Sequence, residues 1–97
     1  MAENYYTSNP LVSVCIPVYN RQEMLRSCLK SVVRQTLRDI EIVVSDNGSE
    51  DDLNQIVREF NDPRIRYHRN SRNLGVVNNF IRVASLARGK YLKFVCS

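Results

Sequence analysis

Leu11 to Pro17 reads LVSVCIP and Ile40 to Ser45 reads IEIVVS, the second run closed by Asp46-Asn47-Gly48-Ser49. Both are short, nearly continuous apolar and β-branched runs, the pattern of strands covered on two faces. Between them, from Gln22 to Gln35, the residues Met24, Leu25, Cys28, Leu29, Val32 and Val33 recur at helical spacing and set Arg26, Lys30 and Arg34 on the opposite side. A buried strand, an amphipathic helix and a second buried strand in succession make a βαβ unit, which decides the fold class.

The pattern continues outward from that unit. Ser49 is placed to cap a second helix, with Asp52 three residues on, Glu50 and Asp51 at the positive helix end, and Leu53, Ile56, Val57 and Phe60 as its apolar stripe. Asn61-Asp62-Pro63 stops it. Arg64 to His68 alternates Ile65 and Tyr67 with basic residues, which predicts a short third strand near a sheet edge. A third helix is expected from Gly75 to Arg88, facing inward through Val77, Phe80, Ile81 and Ala84 and ended by Gly89. Tyr91 to Cys96 (YLKFVC) then supplies a fourth strand. The order β-α-β-α-β-α-β predicts an α/β fold of three αβα layers, with a mainly parallel, Rossmann-like sheet. Residues 1–10 are expected to form a flexible N-terminal segment and 11–97 one partial domain.

The chain has 97 residues, 43% of them hydrophobic and 25% charged, a balance that excludes a disordered class. Cys15, Cys28 and Cys96 form an odd set without a CxxC pair, expected to be reduced packing residues of an intracellular protein. No leader pattern and no apolar run approaching about 18 residues occurs, so neither export nor membrane crossing is predicted. The net charge of +4 is spread along the chain, with no block of five like charges. A solvated basic surface is the plain reading, and nucleotide, anionic membrane or nucleic acid are the partners that charge could serve. The aromatics do not lie along one basic strand face, which argues against a nucleic-acid stacking platform.

Ligands of open parallel sheets bind beyond the C-terminal strand ends, which directs attention to residues 17–20, to 46–49 and to the chain beyond Cys96. The glycines are Gly48, Gly75 and Gly89, and none gives GxGxxG or GxxxxGK[ST]; a dinucleotide-binding dehydrogenase and a P-loop NTPase are excluded. Pro17-Val18-Tyr19-Asn20 offers instead an aromatic ring and a carboxamide, suited to stacking on a planar base and hydrogen-bonding it or its ribose. Asp46 can accept from a base N–H or a ribose hydroxyl, with Asn47 and a helix N-terminus beside it, although Asp-Asn-Gly-Ser is also ordinary turn chemistry. His68, the single histidine, lacks a partner at catalytic spacing, and the cysteines lack metal-ligand spacing. No metal ligand and no catalytic residue is assigned.

Two blocks, VSVCIPVYNRQEMLRSCLKSVVRQTLRDIEIVVSDNGSEDD and NLGVVNNFIRVASLARGKYLKFVCS, resemble the opening of the family-2 glycosyltransferases. The resemblance runs from about Pro10 to Ser97. It implies the N-terminal half of a GT-A nucleotide-diphospho-sugar transferase fold and a parent enzyme that moves a sugar from a nucleotide-diphosphate donor to a hydroxyl acceptor with inversion. It further implies that Pro17, Val18 and Tyr19 wall the base, with Tyr19 stacking and Asn20 supporting the loop. Asp46 or Asn47 would contact the base, and Asn73, Gly75 and Asn79 would approach the nucleotide.

In the family, the strand matching Tyr91 to Cys96 leads to an Asp-x-Asp motif that holds Mg²⁺ or Mn²⁺, so the metal ligands are expected beyond Ser97. Weak nucleotide binding and no turnover are therefore expected of these residues alone. The expected partners are a nucleotide-sugar donor, a UDP-sugar first, a saccharide or lipid-linked acceptor for the full-length enzyme, and no nucleic acid. Self-association through uncovered apolar surface is also expected, as is a cytoplasmic location with peripheral contact at the inner membrane face. The role implied is cell-surface polysaccharide biosynthesis. The alternative is a non-catalytic nucleotide- or nucleic-acid-binding α/β module.

Overall fold

A computed structural model describes residues 9–35 and 38–95. Its elements keep the predicted order: β1 (Val12–Val18), α1 (Gln22–Val33), β2 (Ile40–Asp46), α2 (Leu53–Phe60), β3 (Ile65–Arg69), α3 (Val76–Leu86) and β4 (Tyr91–Phe94). The four strands form one sheet in the order β3-β2-β1-β4, and every neighbouring pair is parallel. The expected αβα architecture is therefore present, with β3 at an edge as predicted and β4 at the other. Of the expected fourth strand, Cys96 lies outside the described residues, as do positions 1–8 of the expected flexible segment.

The two sheet faces are built differently. On one face Val14, Ile16 and Val18 of β1 and Ile40, Ile42 and Val44 of β2 pack against Leu25, Cys28, Leu29 and Val32 of α1 and Leu53, Ile56 and Val57 of α2. These residues are the apolar stripes of the sequence, and burial of each such side chain contributes about 1.5–3 kcal/mol. Arg26 lies on the outer side of α1 and bridges to Glu59 of α2, its Nε to Oε1 at 2.9 Å and Nη2 to Oε2 at 2.8 Å, while also pairing with Glu23. On the other face the buried apolar cluster is Cys15, Val43 and Val83, with Leu86 and Ala87 against it. Polar side chains fill the remainder.

At the N-terminal end of that second face, Glu41 of β2 is buried and accepts from Ser13 Oγ at 2.5 Å, Arg66 Nη1 at 2.6 Å and the Arg88 amide at 2.6 Å. Burial alone would raise its pKa, but these hydrogen bonds and the Arg66 charge outweigh that and hold the carboxyl below its ordinary value. The Gly89 amide donates to Ser13 Oγ at 2.7 Å. A Cβ at Gly89 would lie 2.6 Å from the Ser13 nitrogen, so the turn into β4 requires glycine. The Cys15 thiol beside this cluster is pushed up to about 11, first by burial and then by the Glu41 charge.

Three sequence expectations are corrected. Ser49 does not cap α2: its hydroxyl accepts from the Asn20 amide at 2.7 Å, and the helix starts at Leu53 with Asp52 in the N-cap position. Of the expected inner face of α3, Val77, Phe80, Ile81 and Ala84, only Phe80 and Ala84 are half-buried. Asn79 and Val83 are buried, while Val77 and Ile81 are 70% and 60% exposed, because the helix is seated by hydrogen bonds from Asn79 and by Val83, Leu86 and Ala87 against Cys15 and Val43. Cys15 is a free buried thiol as expected, but Cys28 is disulfide-bonded.

Candidate functional site

Three chain segments meet at the C-terminal end of the sheet, and each is fixed by its own local chemistry. At the end of β1, Asn20 adopts positive φ (61°). It donates its amide to Ser49 Oγ and accepts the Glu50 amide at its side-chain oxygen at 3.0 Å, tying the β1 loop to the β2 loop. Asn is among the residues that tolerate this conformation. The Arg21 amide then donates to Tyr19 O at 3.0 Å, and Arg21 O accepts from Leu25 N at 2.9 Å, so Tyr19 and Arg21 flank a tight bend that enters α1.

After β2 the side chains of Asp46 and Asn47 part company. Asp46 is fully buried, accepting from the Ser49 amide at 2.9 Å and from the Tyr67 hydroxyl at 2.5 Å. Burial, with the hydrogen bond to Asp46 and its charge, pushes the Tyr67 phenol above its ordinary value. Asn47 turns to the α3 side. Its oxygen accepts from Asn70 Nδ2 at 3.0 Å and the Leu74 amide at 2.9 Å, and its nitrogen donates to Asn73 Oδ1 at 2.9 Å and Gly75 O at 3.3 Å. All four of its hydrogen-bonding positions are thus used inside the protein. Gly48 follows at φ 76°, and a Cβ there would lie 2.7 Å from the Arg72 carbonyl carbon, which packs the two loops back to back.

The third segment is the start of α3. Asn79 Oδ1 accepts from Ser45 Oγ at 2.8 Å and Asn70 Nδ2 at 3.0 Å, while its nitrogen donates to Ser45 O at 3.1 Å. Asn70 Oδ1 lies 3.1 Å from His68 Nε2. Because the Asn70 nitrogen is already donating twice, its oxygen is the acceptor and His68 carries the hydrogen on Nε2. Asn73 Oδ1 also accepts the Gly75 amide at 2.8 Å, and Gly75 takes the N-cap position of α3 at φ 90°, a conformation side chains rarely adopt. Asn79, which could have been a solvated helix residue, is a buried anchor.

These segments enclose a cleft of about 260 Å³. Pro17, Val18 and Tyr19 form one side, Arg21 and Met24 the α1 border, and Asn47, Val76, Asn79 and Phe80 the α3 side. Tyr19 is 39% exposed and borders this space. Phe80 is backed by Phe94 of β4, ring centroids 5.2 Å apart. Of the residues singled out in the sequence, Pro17, Val18, Tyr19, Asn47 and Asn79 line the cleft. Asn20, Asn73 and Gly75 brace its walls through the bonds above, and Asp46 lies beneath the loop. Sequence reasoning missed Arg21, Tyr67 and Asn70. The strand-end position of Tyr67 and the N-cap position of Arg21 were legible; Asn70 carried no periodic signal.

The family model for "Glycosyl transferase family 2" matches residues 13–95. The chain belongs to glycosyl transferase family 2. Among its relatives is the abequosyltransferase RfbV of Salmonella typhimurium, 45% identical over 87 residues, covering 84% of this chain and 26% of that protein. The putative colanic acid biosynthesis glycosyl transferase WcaA of Escherichia coli is 37% identical over 87 residues, covering 88% of this chain and 31% of that protein. Among solved structures, the fold is similar to that of the mannosyltransferase PcManGT from Pyrobaculum calidifontis in complex with GDP-Man and Mn²⁺. The TM-score is 0.72 at 22% identity, over 81% of this chain and 25% of that one. This family-2 chain therefore spans between a quarter and a third of the length of these relatives.

The described residues include no group of three or more His, Cys, Asp or Glu side chains placed to hold a metal ion. They do not by themselves form a site for the divalent cation that the resemblance implies. Nor does any described helix have the length and apolar character to cross a membrane.

Proposed function

We propose that this chain forms the donor-nucleotide cleft of a glycosyltransferase that moves a sugar from a nucleoside-diphosphate donor to a hydroxyl acceptor with inversion. The observation that carries the reading is the cleft itself, at the C-terminal end of β1, where the strand order reverses between β1 and β4. Tyr19 stacks on the base between the Pro17–Val18 wall and the first turn of α3, and Asn20, Asn73 and Gly75 hold those walls apart. Asp46 orders the loop through Ser49 and Tyr67, while Asn47 and Asn79 form a fixed carboxamide floor. The cleft, of about 260 Å³, has room for one base against Tyr19, and UDP-sugars are the first donors to test.

The names of the relatives support a role in building cell-surface polysaccharide, with a saccharide or lipid-linked acceptor, and such work suits a cytoplasmic enzyme at the inner membrane face. A divalent cation bound outside the described residues would neutralise the departing diphosphate. Val76, Val77 and Ile81 of α3 and Leu92 and Phe94 of β4 are exposed, so copies of this chain should associate through that side of the sheet. Calorimetric titration of the chain with UDP, GDP and TDP, with and without Mn²⁺, tests the reading. Weak saturable binding with UDP preferred is expected; no heat with any of the three would contradict it. Sugar transfer by these 97 residues alone is not expected.

A further inference from the structure

We infer that Arg21 is the anion-recognition residue of the cleft, the group through which it distinguishes a nucleoside diphosphate from the uncharged nucleoside. The inference rests on reading the cleft as a nucleotide site and adds to it the residue that selects for phosphate.

Among the described residues that line the cleft, Arg21 is the one ionisable residue besides Tyr19, and the one positive charge. The other polar lining groups are occupied. Asn47 uses all four hydrogen-bonding positions internally, and Asn79 uses three of its four. A ligand therefore meets mostly apolar wall, one phenol and one guanidinium. Within the described residues the Arg21 side chain makes no hydrogen bond or ion pair, in contrast to Arg26, Arg64, Arg66 and Arg69, which all bind protein acceptors. The nearest acidic side chain along α1, Glu23, is engaged by Arg26 and so does not neutralise Arg21.

The backbone that carries this side chain is fixed. The Arg21 amide is held by Tyr19 O and its carbonyl by Leu25 N, and the intervening Asn20 is clamped to Ser49 and Glu50. Stacking ring and cation are thus offered two residues apart from one rigid bend, an arrangement that can hold a base and the phosphates attached to it at the same time. A planar fork of five donors is suited to bidentate phosphate contact, which a lysine at the same place would not reproduce.

The test compares the affinity of UDP with that of uridine on the wild-type chain, on Arg21→Ala and on Arg21→Lys, with folding of each variant checked by circular dichroism. The wild type is expected to prefer UDP by about tenfold or more, the size of a charge-assisted hydrogen-bonded contact. That ratio should fall to near one in Arg21→Ala and to an intermediate value in Arg21→Lys. A folded Arg21→Ala chain that keeps the wild-type ratio overturns the assignment of Arg21 and leaves the cleft reading standing. A wild-type chain that binds neither ligand overturns both.

Discussion

The two faces of the sheet use opposite means to hold their helices. Against α1 and α2 the sheet presents valines and isoleucines that meet leucines, a contact made of area and shape. Against α3 it presents a small apolar patch, Cys15 and Val43, set among Ser13, Glu41 and Ser45, which meet backbone amides, Arg66 of β3 and the Asn79 carboxamide. The first face is tolerant of detail and supplies most of the stability. The second is exacting, because each buried polar group needs its own partner, and in return it fixes α3 and the 70–75 loop at a defined distance from the ends of β1 and β2. The cleft lies on that second side, where position matters more than area.

If that division is right, substitutions should sort by face. Leu29→Ala, in the centre of the α1 contact, should destabilise the chain by about 2–5 kcal/mol through lost burial and an unfilled cavity. Thermal or urea unfolding would show it, and a loss under about 1 kcal/mol would mean that this face is not the main apolar core. Asn79→Ala removes the partner of Ser45 O and of one Asn70 N–H in a buried site. It should cost about 2–3 kcal/mol, an unusual amount for a helix residue replaced by a better helix former.

Glu41→Gln sharpens the comparison further, since the gain depends on charge. The folded-state pKa of Glu41 lies below its ordinary value, so its contribution is complete above about pH 4.3 and is lost as pH falls through the depressed value. Asp62, held low chiefly by its hydrogen bond from Arg64, acts in the same direction. Melting temperature should therefore drop on acidification from pH 5 downward, and Glu41→Gln should start about 1–2 kcal/mol lower and fall less steeply. Parallel pH profiles for the two chains would mean that Glu41 contributes nothing to the acid response.

The same contrast explains what the sequence could disclose. The strands, their order and the inner stripes of α1 and α2 were legible because burial of apolar side chains leaves a period in the sequence, as at Leu25, Leu29 and Val32. The orientation of α3 was not, since Val77 and Ile81 obey the helical period yet face outward, and the anchor is an asparagine that no hydrophobic pattern marks. Pro17 to Tyr19 could be placed at the cleft from strand ends alone. The parting of Asp46 from Asn47 could not, because Asn47 lies just past the end of β2, where strand alternation no longer sets the direction of a side chain. Asn70 is visible only through its contacts with Asn47 and Asn79, which are distant from one another in sequence.

Tyr19 is the residue at which recognition should separate most cleanly from stability. Its exposed ring contributes little to folding, so Tyr19→Ala should leave the unfolding free energy within about 0.5 kcal/mol of wild type. Calorimetric titration of the two chains with UDP asks most directly whether this cleft is the nucleotide site. About a tenfold or greater loss of affinity is expected in Tyr19→Ala, the size of one base–aromatic stack. An unchanged affinity in a fully folded Tyr19→Ala chain would contradict it.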